Sequence, residues 1–551
     1  MPEEGHMMKT LPQATVFPRR SPVIQQSFAS RDESDLAHFG KQQQFKYEKA
    51  LKCLDAKVGW LTRCNSADLG RVFGVRDPLA DANFRRKVGL TVGPHRSLQA
   101  LITNGGPTGA FGAYIFVMTG VLMQVLVMAE MASMIPLAGG QYNWVAILAP
   151  PAYSKFLSYL TGWVTTIAWQ AASASVLFLD ATIIQALLAI AHPTYVFERW
   201  HGTLIFYGLL ALTLFFNTYL GRLLPNFEAT ILVFHVAGFV GILITILYLA
   251  PKSTPSAVFQ QFVNGGKFDT NAESFFVGTV SSMYAFIGID AATHMAEEIE
   301  NASVVIPRSM IVSVFLNGTL GLGMLVAIMF CMGPVTSVLG AEFFMPFVTV
   351  LQSITHSTAG ATVMACIILV VGIAGSIGIL ATTSRMLWAF AREDGVPGSR
   401  FIARVEPRTA LPLWSIGVAA LVDLLLALIN IGSTVAFNAF SGLTIAGFYS
   451  SFIISAAVML QRRLTTPSSD IRWGPFQLGR AGVPVTVLAL CFSVVGWIFS
   501  FWPPTAMVTK RTFNWSIVVY FGTLFIAMIW WVVHARHTYT GPKAELFPAR
   551  R

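Results

Sequence analysis

Eleven stretches of about twenty mostly apolar residues run through the chain, near 108–131, 156–190, 203–219, 229–249, 274–293, 308–332, 359–388, 412–430, 434–459, 482–502 and 513–534. In a bilayer every backbone polar group has to be satisfied internally, so a spanning segment is either a helix or a strand of a closed barrel. These stretches are too long for barrel strands and lack period-two alternation. They predict an all-α polytopic membrane protein. The second stretch is long enough for a tilted span with a helical extension.

Composition excludes the other broad classes. Charged residues make up 12% of the chain, against about 25% in soluble domains. An ordinary soluble enzyme or a disordered protein is therefore ruled out. The charge is also uneven: 26 of the 64 charged residues lie in the first 96 positions, 16 basic and 10 acidic. Cys53, Cys64, Cys331, Cys366 and Cys491 are too scattered for a disulfide framework or a metal cluster. The net charge of +10 comes without a basic stripe interleaved with stacking aromatics, so nucleic acid is not an expected partner. The beginning of the chain lacks the basic-then-apolar pattern of a signal peptide, and none is expected. No phosphate loop, HExxH, GxSxG or kinase-like set occurs. The sequence predicts no enzyme, metal or cofactor.

Orientation follows from the 21 Lys and Arg beyond residue 96. If 108–131 runs inward, sixteen fall on the cytoplasmic side and five outside: Arg199, Lys252, Lys267, Lys510 and Arg511. The tail 535–551 is then cytoplasmic. The basic N-terminal tail should be cytoplasmic too, which requires an even number of crossings. Eleven is odd. A twelfth span is needed before residue 108, where the best apolar run is only Leu98–Ile102, preceded by Arg85, Arg86, Lys87, His95 and Arg96.

Ionisable residues within spans are costly and mark candidate functional sites. The richest group lies in SSMYAFIGIDAATHMAEEIENASVVIPRSM, residues 281–310. Gly288 weakens the helix just before Asp290, and backbone freed at such a break can coordinate a ligand or ion. Tyr284 and Phe286 could cover a substrate there. The alternative places Asp290 at the helix end, in headgroup water, with Gly288 serving packing. His294, Glu297 and Glu298 read as a solvated cap, or as gating and proton-transfer groups. Glu130 closes the first stretch; Pro136, Gly139 and Gly140 then break the chain, and Tyr142 and Trp144 suit an interfacial aromatic belt. That segment reads as a tight turn into an interfacial helix, with a share in an inner gate as the sharper alternative. Asp180, His235 and Asp423 are lone ionisable groups in other stretches, the two Asp residues placed near helix ends and His235 read as a hydrogen-bonded core residue. The small residues of 372–384 favour close helix packing, with Ser376 alternatively facing a central cavity. Asn438 and Ser441 carry the same ambiguity. Asn514-Trp-Ser is a sequon that abuts a span, and Asn301-Ala-Ser is expected to be cytoplasmic.

Several strings together carry a resemblance: NGGP at 104–107, AEMASMIPLAGGQYNWVAILAPP at 129–151, LTGWVTTIAWQAA at 160–172, FIGIDAATHMAEEIENASVVIPRSM at 286–310, SRMLWAFAREDGVPGS at 384–399 and HTYTGP at 537–542. From about Ser97 onward the chain resembles the fungal amino acid/choline/GABA permeases of the amino acid–polyamine–organocation superfamily. The resemblance implies a LeuT-like fold of twelve helices, the first ten forming a 5+5 inverted repeat. Helices one and six would be broken at the midplane, where substrate binds. It assigns the helix-six site to Tyr284, Phe286, Ile287 and Gly288, with Asp290 at the inner side of the break. Helix three would contribute Trp169 and Ser173, helix eight Ser376, and helix ten Phe437 to Ser441. Glu130, Glu297 and Glu298 are the gating or coupling candidates. The implied function is alternating-access transport of a small amine or amino acid, such as GABA, choline or a basic amino acid. The implied coupling ion is a proton and the setting a fungal plasma membrane, with both termini cytoplasmic. Asp290 near unwound backbone, with Tyr284 and Phe286 available for cation–π contact, would suit a cation.

The sequence departs from that family where the twelfth span is missing. The Trp-Glu pair common near the helix-one break falls, without gaps, at Thr91 and Val92. Residues 36–46 resemble the family's pre-membrane tail, which normally runs straight into an Asn-Phe start such as Asn83-Phe84. Residues 47–96 are therefore expected to include mistranslated or mis-spliced sequence, with the transporter domain at 97–534. A transcript encoding 47–96 unchanged, in a protein that transports, would refute this. The rival to a working permease is a transport-inactive paralogue or nutrient sensor with the same fold. A channel or membrane enzyme would need a ring of pore charges or a catalytic set, and neither is visible.

Overall fold

A computed structural model describes residues 101–542, apart from 193, 197, 336–345, 410, 430–435 and 510–511. The N-terminal tail and the segment 47–96 lie outside the described residues. The helices used below are α1 Gly106–Met134, α2 Gln141–Leu148, α3 Pro151–Ala191, α4 Arg199–Thr218, α5 Leu224–Leu249, α6 Asn271–Ala285, α7 Ala302–Cys331, α8 Pro346–Thr355, α9 Thr358–Ala391, α10 Leu413–Ala427, α11 Ala436–Thr465, α12 Gly482–Ser500 and α13 Ser516–Trp530. Among the described residues there is no strand, only an isolated bridge between Asn104 and Asn264. The chain is an all-α polytopic membrane protein.

Nine helices among the described residues are long and apolar enough to cross a membrane. Together with the 15-residue helices α6 and α10, they occupy all eleven stretches read from the sequence. Helix α3 has 41 residues, so it is about 60 Å long, roughly twice the hydrocarbon thickness. It runs through the middle of the bundle, packed by α11, α9 and α2, while α1 packs against α7, α12 and α6. The apolar window of α11 is 78% buried, whereas those of α5 and α13 are 17% buried. The exposed faces of these two helices, with Phe234, Val240, Ile244, Phe525 and Ile526, are apolar. An apolar outer surface around a core holding buried polar groups is what a lipid solvent selects.

Two surface readings are refined. Tyr142 and Trp144 are fully buried, and the Trp144 indole donates to the Ile135 carbonyl at 3.0 Å, so they lock α2 to the preceding turn and are no aromatic belt. The amide of Asn514 donates to the Ser500 and Trp502 carbonyls at 2.8 and 3.1 Å, and its oxygen receives the Ser516 N–H at 3.2 Å. This sequon side chain is committed to the α12–α13 turn.

Candidate functional site

Helix α6 stops at Ala285, although the apolar stretch continues to residue 293. Residues 286–292 form consecutive turns, and Thr293–Glu298 is a short 3-10 segment interrupted at Met295. Gly288 has φ +76°, a left-handed conformation that is costly for any residue with a Cβ. The chain inverts locally there, and the α-helical ladder gives way to short bonds such as Ala291 N–H to the Gly288 carbonyl at 3.1 Å. The expected break is thus present, flanked by a cavity of about 30 Å³ lined by Phe286, Ile287, Gly288 and, from α7, Ser313 and Asn317. That volume holds about one or two waters.

The aromatic candidates sit on either side of the break. Tyr284 is buried, and its hydroxyl lies 2.6 Å from Ser175 Oγ on α3. Phe286 packs on Tyr114 of α1 at 5.4 Å between ring centroids. Trp169 meets His294 edge-on at 5.7 Å and Phe448 of α11 at 5.1 Å, placing an aromatic wall beside the far end of the break. One helical turn and a half beyond Ser175, Asp180 is fully buried and accepts a hydrogen bond from Ser376 of α9 at 2.7 Å. Asp180 was read as a lone group near a helix end; it instead links two of the candidate helices.

Asp290 does not lie in headgroup water. It is fully buried, and its Oδ2 accepts from the Gln141 amide at 2.6 Å and lies 3.3 Å from His294 Nε2. His294 Nδ1 is 3.0 Å from the Ala138 carbonyl, which can only accept, so Nδ1 carries a hydrogen. The carboxylate is thus aimed at the α1–α2 turn and the start of α2. Gly140 in that turn has φ +57°, and a Cβ there would stand 3.1 Å from the imidazole.

Glu297 and Glu298 are also buried rather than forming a solvated cap. Glu297 makes two bonds to the Arg392 guanidinium, at 2.5 and 2.9 Å, and Glu298 accepts from Arg385 at 2.5 Å. Burial works against the Arg392 charge, but Glu297 outweighs it and keeps its pKa above the usual arginine value. Glu130 pairs with Arg463 of α11 and accepts the Leu478 N–H at 2.8 Å, while Arg463 stacks over Trp473. Three buried ion pairs therefore tie the segment after the break to α9, and α1 to α11. Charges removed from water need such partners.

Other assignments fall elsewhere. Ser173 donates to Asp423 of α10 at 2.6 Å, and Gln170 donates to the same carboxylate at 2.6 Å. This serves α3–α10 packing, so Ser173 is not gathered with Tyr284, and Asp423 is a satisfied buried acid rather than a lone one. Ser441 lies half-buried in the first turns of α11. The side chains of Phe437 and Asn438 lie outside those described. The residues that sequence reasoning missed are Ser175, Gln141, Arg385, Arg392 and Arg463. The basic ones were read only as orientation signals, and nothing in one sequence paired them with their carboxylates.

Among the described residues, an all-α membrane bundle holds the interrupted helix α6 with buried ion pairs on the segment after it, an arrangement that suits a membrane transporter. The sequence profile of the amino acid permease family matches residues 87–524. The chain belongs to that family. It is 30% identical over 419 residues to a putative amino acid/polyamine transporter of Macrophomina phaseolina, covering 75% of this chain and 92% of that protein. It is 29% identical to the choline transporter of Saccharomyces cerevisiae, covering 91% and 88% of the two chains. It is 28% identical to the amino-acid permease BAT1 of Arabidopsis thaliana, covering 76% and 84%.

Proposed function

We propose that this protein is a secondary active transporter that carries a small amine or amino acid across the plasma membrane of a fungal cell by alternating access, coupled to protons. The observation that carries the reading is the interruption of α6 at Phe286–Ala292, within an apolar stretch that continues to residue 293. Unwound backbone at such a point offers N–H and C=O groups to a ligand within the membrane. Tyr284, Phe286, Ile287 and the Gly288 backbone form one side of the proposed substrate site. Trp169, Ser376 and the start of α11 at Ser441 form the other. The pairs of Glu130, Glu297 and Glu298 close the end that the Lys/Arg distribution assigns to the cytoplasm. The names of the relatives put choline, amino acids and polyamines first among substrates to try.

Uptake of labelled choline, GABA, arginine and a polyamine into a transport-deficient yeast expressing the full chain tests the reading. Saturable uptake of at least one is expected. Surface-expressed protein that moves none of them would favour a transport-inactive sensor with the same fold.

A further inference from the structure

Asp290, His294 and Gln141 form a cluster that substrate binding at the break does not explain. His294 Nδ1 is spent on the Ala138 carbonyl, so a neutral imidazole presents a lone pair at Nε2. That lone pair faces Asp290 Oδ2 at 3.3 Å, and two acceptors do not bond. The contact requires one more hydrogen, held as imidazolium with carboxylate or as imidazole with carboxylic acid. Either way one proton lies between Nε2 and Oδ2, in addition to the hydrogen that Nδ1 gives to Ala138. Both side chains are fully buried, and Asp290 Oδ1 and Gln141 Oε1 have no hydrogen-bond partner.

We propose that the Asp290–His294 pair is the site that carries the coupling proton, and that the proton latches the α6 break to the α1–α2 turn. This rests on the transporter reading above. With the proton present, His294 bridges Ala138 and Asp290, and Gln141 holds the same carboxylate oxygen from α2. When the proton leaves to cytoplasmic water, a lone pair and a negative oxygen are left facing each other in a site from which water is excluded, and the segment after the break separates from α2. No bond other than to hydrogen changes. The charged groups on neighbouring elements are committed elsewhere. Glu297 holds Arg392 at the end of α9, Glu298 holds Arg385 of α9, Glu130 holds Arg463 of α11, and Arg308 of α7 is exposed. Tyr142 of α2 stays a neutral phenol, because burial, then Glu393 and Tyr539, raise its pKa. The wall behind the pair is Trp169 of α3, which does not titrate.

The test uses the full-length protein in liposomes and whichever of choline, GABA or arginine it moves. Two readings are taken: exchange without a pH gradient, and accumulation driven by an imposed one. In His294→Gln and Asp290→Asn, exchange should slow far less than accumulation, the accumulation ratio should fall to one, and the pH dependence of uptake should flatten. Either variant accumulating substrate with the pH dependence of the unaltered protein would overturn the proton site while leaving the transporter standing. An unaltered protein that exchanges none of the probes would overturn both. If the variants do not reach the membrane, the unaltered protein decides. A hydrophobic carbodiimide, which attacks protonated carboxyls, should label Asp290 less as pH rises; labelling indifferent to pH would overturn the proposal.

Discussion

At the residue scale, the carboxylates of Glu130, Glu297 and Glu298 lie out of water, and each is held by a guanidinium, from Arg463, Arg392 and Arg385 in turn. The sequence marked Glu130, Asp290, Glu297 and Glu298 because ionisable groups in or beside apolar helices are costly. It could not show that Arg463, Arg392 and Arg385 answer the three glutamates, since partners 87 to 333 positions apart leave no local pattern. Asp180 with Ser376, and Asp423 with Ser173, were hidden for the same reason. A buried pair stripped of one member leaves an uncompensated charge, which costs about 3–5 kcal/mol, whereas replacing both members is often close to neutral. Arg385→Ala or Glu298→Ala should therefore lower the melting temperature of the purified protein sharply. The double variant Glu298→Gln/Arg385→Met should recover most of the loss. Single variants as stable as the parent would show that the pair contributes nothing to the resting fold.

At the element scale, eleven apolar stretches located eleven helical segments, because hydrophobic length is a property of the local chain and the bilayer enforces it. The limits of the method appear at α6. Hydropathy continues through Phe286, Ile287 and Ile289, so the stretch reads as one span to residue 293, yet the helix ends at Ala285. The signal was Gly288, whose positive φ makes the turn geometrically possible. The same logic explains why α2 looked interfacial: Tyr142 and Trp144 suit a headgroup belt by type, and only packing against α3 and α11 places them inside. Gly288→Ala is the test of the break. An L-residue in the left-handed region costs about 1–2 kcal/mol. The variant should lose that much stability or relax the turn toward continuous helix. In either case transport should fall; Gly278→Ala is no control, since a Cβ there collides with the Asn104 carbonyl. Gly417→Ala, in open space on α10, is the appropriate one. Transport equal in Gly288→Ala and Gly417→Ala would mean that the conformation at 288 is dispensable.

At the scale of the whole molecule, the connecting loops set how the bundle sits in the membrane. The helices alternate in direction by connectivity alone, so one experimentally placed loop orients all of them. The sixteen-to-five distribution of Lys and Arg beyond residue 96 assigns the α11–α12 loop to the cytoplasm and the α5–α6 connection to the outside. Both loops offer accessible positions: Ser468 is exposed between α11 and α12, and Ser256 is exposed between α5 and α6. Single cysteines at these positions, in a background with the five native cysteines replaced, are to be treated with a membrane-impermeant maleimide on intact cells. Ser256→Cys should react at once, and Ser468→Cys only after permeabilisation. The reverse pattern would invert the bundle. It would put the ion pairs of Glu130, Glu297 and Glu298 at the outer end, and the proton released from Asp290 and His294 would then reach the medium instead of the cytoplasm.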